Sequence, residues 1–271
     1  MSSFITTEKV SLDYILKTGS ISIRKFILQR FKKLLRQPTD QRNYNTVFRA
    51  LHNINLEIKT GDKLGIFGRN GAGKSTLLRV LADIYKPNFG TVLTHGTSSC
   101  LFDINLGLNA EANGYENIIT MCILKGMTKQ QALNVVKDVE EFTELGDFLY
   151  NPVRMYSAGM KMKLAFGVAT AGNPDILLVD EVIGVGDGKF MQKANKRIED
   201  LMHNSNILVL TSHDNAVIKK FCNKAIVLDQ GNLVFQGNVD DACAFYENIL
   251  YDTNNNNSHH LKNSDLLHEP L

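Results

Sequence analysis

The residues with the clearest chemical potential form a glycine-rich segment followed by a lysine and two hydroxyl side chains. Glycines let successive backbone N–H groups converge on a polyphosphate, and a helix that begins near Lys74 adds the positive end of its dipole. Lys74 is expected to reach the β and γ phosphates, and the Ser75 hydroxyl to bind Mg²⁺. The predicted nucleotide-binding residues are Gly68, Arg69, Asn70, Gly71, Ala72, Gly73, Lys74, Ser75 and Thr76.

The elements around this loop are those a nucleotide site requires. Residues 63–67 are mostly apolar, which is typical of a buried parallel strand, and residues 76–81 continue as a helix. The loop alone leaves a kinase, a GTPase, a helicase and a transporter ATPase open, so the choice depends on later segments.

A pair of acids follows a second apolar strand. Residues 176–179 read Ile-Leu-Leu-Val and are followed by Asp180 and Glu181, which puts two carboxylates at the edge of a parallel sheet where ligands bind in open α/β folds. Asp180 is expected to hold the Mg²⁺ shell and Glu181 to polarise the water that attacks the γ phosphate.

Two further segments suggest how the γ phosphate is enclosed. Ser157, Ala158, Gly159 and Met160 begin a predicted helix with Ser157 as its N-cap, a second place where an anion can lie. One nucleotide does not need two such helix starts from one subunit, so we expect a dimer in which each start closes over the partner's ATP. His213 follows the strand at residues 207–211 and is expected to donate to the γ phosphate.

These motifs, in this order, strongly resemble the ATP-binding cassette (ABC) ATPases over about residues 4–250. The resemblance implies an α/β P-loop fold with a helical subdomain and an N-terminal antiparallel β part. It also implies that Asp187, in the loop after the acids, belongs to the family's D-loop. The family's usual glutamine is missing from residues 101–107, and Asp103 and Asn105 are the alternatives for its place.

The resemblance further implies an aromatic residue that stacks on adenine at the end of the first strand. Tyr14 fits that position, with Phe48 as the alternative.

Two departures from the common family pattern are similar to the ATPase subunits of polysaccharide exporters. The helix start reads Tyr-Ser-Ala-Gly-Met, and the acids continue as Asp-Glu-Val-Ile-Gly-Val-Gly-Asp. Residues 114–118 (Gly-Tyr-Glu-Asn-Ile) also resemble a motif of that group. The implied function is ATP hydrolysis that drives export of a lipid-linked polysaccharide of the O-antigen, capsule or teichoic acid type.

The implied partners are a second ATPase subunit and a polytopic transmembrane subunit, with the polysaccharide as an indirect partner, at the cytoplasmic face of the cell membrane. The open alternatives are a soluble ABC ATPase that acts on ribosomes or DNA, and an exporter of lipids or drugs.

Composition agrees with this interpretation. The 271 residues are 44% hydrophobic, enough for one large α/β core, and the net charge of +2 does not favour nucleic acid as a partner. Four scattered cysteines lack metal-ligand spacing and indicate reduced thiols. No apolar run approaches the roughly 18 residues of a transmembrane helix, so another chain is expected to form the export path.

Three features divide the chain. Residues 1–250 are predicted to form the ATPase domain, and about residues 99–160 its helical arm. Residues 15–46 contain a predicted basic amphipathic helix, which either contacts a membrane surface or the cytosolic face of a transmembrane partner, or packs on its own domain. Residues 251–271 are polar, rich in asparagine and histidine, and are predicted to be disordered.

Overall fold

The computed structural model describes residues 2–17, 45–102, 107–181 and 188–264. Nine strands lie in this part of the chain: β1 (Phe4–Lys17), β2 (Asn45–Lys59), β3 (Lys63–Phe67), β4 (Phe89–His95), β5 (Ser98–Leu101), β6 (Ile176–Asp180), β7 (Ile207–Thr211), β8 (Lys224–Asp229) and β9 (Asn232–Gly237). The same residues form seven α-helices: α1 (Lys74–Leu81), α2 (Gly114–Leu124), α3 (Lys129–Thr143), α4 (Ala158–Ala169), α5 (Gly188–Asn204), α6 (Asn215–Phe221) and α7 (Val239–Ser264).

The strands form two sheets. The larger has the order β5-β6-β7-β3-β8-β9, with every neighbouring pair parallel except the last. The smaller is antiparallel with the order β2-β1-β4. Because β6, β7 and β3 are adjacent and parallel, their carboxyl ends share one edge, and the phosphate loop, the acids and the histidine follow those three ends.

Helix α1 packs against strands of both sheets. Its buried residues Leu77, Leu78, Val80 and Leu81 lie in one core with Ile5 and Leu51 of the antiparallel sheet and Ile66 and Val209 of the parallel sheet. Burial of an aliphatic side chain contributes about 1.5–3 kcal/mol, so this core fixes the helix that begins at Lys74. The predicted α/β fold with an N-terminal antiparallel part is confirmed.

Helices α2, α3 and α4 form the arm. Thr128 caps α3, whose Gln131 completes a capping box. The arm begins later than the predicted residue 99, because Ser98–Leu101 pairs with β6 as an edge strand of the parallel sheet. It also extends past residue 160, since α4 continues to Ala169.

Helix α7 differs from the disorder predicted for residues 251–271. The helix is anchored by Ala242 and Cys243, which are buried against β3 and β8, and its backbone continues through Ser264. Adding a residue to an existing helix needs no new nucleation, which explains how a polar segment extends a packed helix. Residues 265–271, and residues 18–44 of the basic insertion predicted at 15–46, lie outside the described part.

Candidate functional site

A cavity of about 520 Å³ opens at the edge where β3, β6 and β7 end, and its volume is in the range of small-molecule sites. It is lined by Tyr14, Phe48, Ala50, Arg69, Asn70, Gly71, Gly73, Lys74, Ser75, Thr76, Asp180, Glu181, Thr211, Ser212 and His213. Residues from the phosphate loop, the acidic strand and the histidine strand, predicted separately from sequence, therefore share one cavity.

The phosphate loop has the backbone shape that its glycines permit. Gly73 precedes α1 in the left-handed region, with φ 105°, and a Cβ there would lie 2.9 Å from the Ala50 carbonyl oxygen. Gly71 has φ 82° but open space where a Cβ would be. The first N–H groups of α1 lack intrahelical acceptors and begin beside the cavity, as an anion site requires.

Lys74 lies across the loop. Its Nζ atom donates to the carbonyl oxygens of Gly68, at 2.5 Å, and Arg69, at 3.2 Å. Desolvation lowers the pKa of Lys74 below its usual value, while the charges of Asp180 and Glu181 act in the opposite direction. The ammonium is thus half buried near both acids, where an added phosphate would compensate its charge.

The two acids are attached to the neighbouring strand through Thr211. Asp180 is directly opposite Thr211 in the β6–β7 register, and the Thr211 hydroxyl donates to Asp180 Oδ1 at 2.6 Å. The next residue, Glu181, has φ 57°, a conformation uncommon outside glycine that is often found at functional sites. Its side chain is exposed, so its carboxylate is accessible from the cavity.

His213 lies two residues beyond β7 and faces Glu181. Its Nε2 atom is 3.9 Å from Glu181 Oε1, and both side chains are more than half exposed. The turn that carries the imidazole is ordered by Ser212 Oγ, which accepts from the Asp214 N–H, and by Asp214, which caps α6. The histidine and the acid are therefore held within reach of one small group.

The cavity also contains oxygen donors suited to Mg²⁺. Ser75, in the first turn of α1, and Asp180, at the end of β6, both line it. A hydroxyl and a carboxylate are hard ligands of the kind that Mg²⁺ binds beside phosphates, so the residues present fit the predicted ion.

Two aromatic residues also line the cavity. Tyr14 and Phe48 are opposite each other in the β1–β2 register, and therefore share a face of the sheet. The Tyr14 hydroxyl lies 3.3 Å from Thr76 Oγ1, and its ring meets Tyr85 edge to face. Phe48 is 52% exposed.

The predicted signature segment, Ser157–Met160, is not part of the cavity lining in the described residues. Ser157 is the N-cap of α4 as predicted, and its side chain accepts from the Met160 N–H at 3.2 Å. All of its residues except Met160 are exposed. The helix start predicted as a second anion site is therefore exposed to solvent in the single chain.

Sequence reasoning missed Ala50, Thr211 and Ser212 in the cavity lining. A hydroxyl at the end of a buried strand, two residues before His213, was the available signal for Thr211. Asp187, Asp103 and Asn105 lie outside the described residues, and their predicted roles stay predictions.

The four cysteines are free thiols. Burial raises the pKa of Cys222 to about 12 and that of Cys100 to about 11, which keeps both thiols protonated and poorly nucleophilic at neutral pH. Among the described helices, none combines the length and apolarity needed to cross a bilayer.

The chain is similar to known proteins in sequence and in fold. A family model described as ABC transporter matches residues 51–184. The O-antigen export system ATP-binding protein RfbE of Yersinia enterocolitica is 46% identical over 70% of this chain and 80% of its own. The teichoic acids export ATP-binding protein TagH of Shouchella clausii is 38% identical over 75% of this chain and 56% of its own. The O-antigen export system ATP-binding protein RfbB of Myxococcus xanthus is 36% identical over 86% of this chain and 52% of its own.

The chain thus spans most of the first relative but only about half the length of the other two. Among solved structures, a dimeric bacterial ABC transporter cassette is 22% identical, with a TM-score of 0.59 over 87% of this chain and 98% of that chain. At that identity the likeness concerns the fold.

Proposed function

Because this chain belongs to the ABC transporter family, we propose that it binds and hydrolyses ATP to drive export of a lipid-linked polysaccharide through a separate transmembrane subunit. The observation that carries the proposal is the single cavity in which the phosphate loop, Lys74, Asp180, Glu181 and His213 meet.

The polysaccharide substrate rests on the relatives and on the two variant motifs. Relatives from three genera are named for export of O-antigens or teichoic acids. The signature and the loop after the acids both depart from the common family pattern, and both are similar to the ATPase subunits of polysaccharide exporters. The relatives are named as ATP-binding proteins of export systems, which supports a separate polytopic subunit. We place the chain at the cytoplasmic face of the cell membrane.

In the proposed reaction the phosphate loop holds the β and γ phosphates. The Nζ atom of Lys74 turns from the Gly68 and Arg69 carbonyl oxygens to the phosphate oxygens, which are stronger acceptors. Ser75 and Asp180 would hold Mg²⁺, which when bound neutralises charge that develops on the phosphate oxygens.

Glu181 orients the attacking water and accepts its proton, because the carboxylate is exposed beside the cavity. His213, on the adjacent strand, donates a hydrogen bond to the γ phosphate as charge builds up there.

The proposed complex is a homodimer with two ATP molecules. The Ser157–Met160 segment is an anion-binding helix start that the single chain leaves exposed. In the dimer it would close over the partner's γ phosphate, with Ala158 and Gly159 allowing close backbone approach. Asp187 would lie at the same contact, as the family resemblance implies.

For the adenine ring we propose Phe48 as the stacking platform, in preference to Tyr14. The Tyr14 hydroxyl is engaged with Thr76 and its ring packs on Tyr85, so Tyr14 forms a wall of the site. Phe48 is the more exposed of the two rings in the same cavity, and stacking requires an accessible face.

The catalytic assignment is tested with Glu181→Gln. Removing the base should lower kcat by about 10²–10⁴-fold while ATP still binds, as measured by phosphate release and by titration with a fluorescent ATP analogue. Lys74→Ala is the matched variant that should weaken binding itself. Turnover by Glu181→Gln at the parent rate would remove Glu181 from the mechanism.

The partner is tested by a pull-down of Glu181→Gln protein from detergent-solubilised membranes with ATP and Mg²⁺, followed by mass spectrometry. Recovery of a polytopic membrane protein supports the exporter. Recovery of ribosomal or DNA-associated proteins, with nothing polytopic, would contradict it. Loss of surface polysaccharide when the gene is deleted would separate a polysaccharide exporter from one for lipids or drugs.

A further inference from the structure

Thr211 is a buried hydroxyl residue at the centre of the site, and no part of the mechanism above uses it. It is the last residue of β7, is 2% exposed, and lies opposite Asp180 in the adjacent parallel strand. Its hydroxyl donates to Asp180 Oδ1 at 2.6 Å. The Thr211 Oγ1 atom also accepts from the Glu181 N–H at 3.3 Å, and the Thr211 carbonyl oxygen accepts from that N–H at 3.2 Å.

One side chain thus contacts both acids in different ways. A hydroxyl has a single hydrogen, and here it is directed to the Asp180 carboxylate, which leaves the lone pairs to accept. Threonine is branched at Cβ, so its χ1 angle is stiff, and burial against the strand fixes it further. The Asp180 carboxylate is therefore oriented by a rigid neighbour.

The second contact concerns the backbone of Glu181. A glutamate with φ 57° occupies a conformation that side-chain-bearing residues seldom adopt. Its N–H is held by Thr211 at both the hydroxyl and the carbonyl oxygen. The direction in which the Glu181 side chain leaves the strand follows from that backbone conformation.

We propose that Thr211 is a positioning residue whose hydroxyl aligns Asp180 for Mg²⁺ and supports the backbone turn that directs Glu181 at the attacking water. The inference rests on the proposed ATPase function and deepens it. Partners that orient a metal-binding carboxylate typically change metal affinity 10–100-fold when they are removed.

The test uses Thr211→Val, which keeps the branched shape and removes the hydroxyl, and Thr211→Ser, which keeps the hydroxyl. Both are made in full-length protein that also carries Glu181→Gln, so that ATP is bound but not consumed. The first measurement titrates Mg²⁺ into protein and a fluorescent ATP analogue. It gives the Mg²⁺ concentration at which the increase in analogue binding is half complete. We expect a rise of about tenfold or more for Thr211→Val, and a value within about twofold of the parent for Thr211→Ser.

Thr170→Val is the matched control. Thr170 is equally buried, and its hydroxyl donates to the Phe166 carbonyl oxygen at 2.7 Å in the arm, outside the cavity lining. Its loss should lower the melting temperature without shifting the Mg²⁺ curve, which separates positioning from a purely structural role. In the Glu181 parent background, Thr211→Val should also reduce kcat while ATP affinity without Mg²⁺ stays unchanged.

An unchanged Mg²⁺ curve for folded Thr211→Val, or a Thr211→Ser variant as impaired as Thr211→Val, would overturn the assignment while the ATPase proposal stands. A parent protein whose ATP binding does not respond to Mg²⁺ would overturn the proposed function, and this inference with it.

Discussion

Asn117→Ala should destabilise the loop at residues 109–113, which leads into α2, the first helix of the arm. Asn117 is 2% exposed and follows the Glu116 capping residue at the start of α2. Its Oδ1 accepts from the Asn109 N–H at 2.7 Å, and its Nδ2 donates to the carbonyl oxygens of Asn109, Ala112 and Asn113 at 3.0, 3.2 and 2.9 Å. One amide therefore closes the loop at residues 109–113.

The loss of hydrogen bonds in Asn117→Ala falls mainly on the backbone groups of Asn109. The carbonyl oxygens of Ala112 and Asn113 keep other donors, the N–H groups of Val153 and Asn117, whereas both backbone groups of Asn109 bond to the amide. Asn109 is itself exposed, so water can replace the amide at its backbone groups, and the cost is the net value of about 1 kcal/mol for each hydrogen bond lost. We therefore expect about 2 kcal/mol of destabilisation, which for a chain of this size corresponds to a fall in Tm of roughly 4–8 °C.

The effect should extend to catalysis through the segment that precedes α4. The Val153 and Arg154 N–H groups donate to the carbonyl oxygens of Ala112 and Ala110, and Ser157 follows three residues later. A loosened loop should lower the ATPase kcat more than the affinity of the single chain for ATP, because in our proposal the signature segment acts only in the closed dimer.

The assays are urea unfolding, thermal unfolding and phosphate release. Asn117→Asp keeps the shape but replaces the donor with an acceptor, so it should be destabilised as well. Asn134→Ala, an exposed position on α3 of the same arm, is the control and should not lose stability. A fall in stability below about 1 kcal/mol for Asn117→Ala would refute the reasoning that this amide holds the loop.

Two further predictions concern a pH effect and the nucleotide base. The Thr97 N–H and hydroxyl, with Asn206, hold the pKa of Asp175 below its usual value near 3.8, so its stabilisation is present above that pH and is lost as the pH falls through the lowered pKa. Asp175→Asn should therefore be less stable by about 1 kcal/mol at pH 7, and in an acid unfolding series the difference from the parent should shrink only as the pH falls below 3.8 and vanish below the lowered pKa. Phe48→Ala should weaken ATP binding by about 5–100-fold, and Tyr14→Phe much less, while inorganic triphosphate binds all three proteins alike in competition titrations; equal losses for both variants would contradict the choice of Phe48.

The chemistry of the site could be predicted because each part is local in sequence. Lys74 and Ser75 follow their glycines directly, and Asp180 ends an apolar run, so neither needed knowledge of distant contacts. That these parts share one cavity followed from one rule, since the carboxyl ends of adjacent parallel strands lie at the same edge.

What the sequence did not predict depends on contacts between distant residues. Ser98–Leu101 is too short and polar to indicate a strand, and it becomes one by pairing with β6. The proposed preference for Phe48 over Tyr14 as the adenine platform rests on Thr76 and Tyr85, which contact the Tyr14 side chain, while Phe48 is exposed. Local composition contains neither fact.

The same geometry supports the proposed division of the site between two copies. The single chain supplies the loop, the acids and the histidine from three adjacent strand ends, all on rigid parallel strands. The remaining anion-binding element begins α4, which belongs to the arm and packs through Phe166 on Phe142 and Phe190. Because that element lies outside the cavity lining, the γ phosphate would be open to water on one side until a second copy covers it. In the proposed dimer, hydrolysis would depend on closure, and closure would move the arm, which is the part of the chain that we propose acts on a membrane partner.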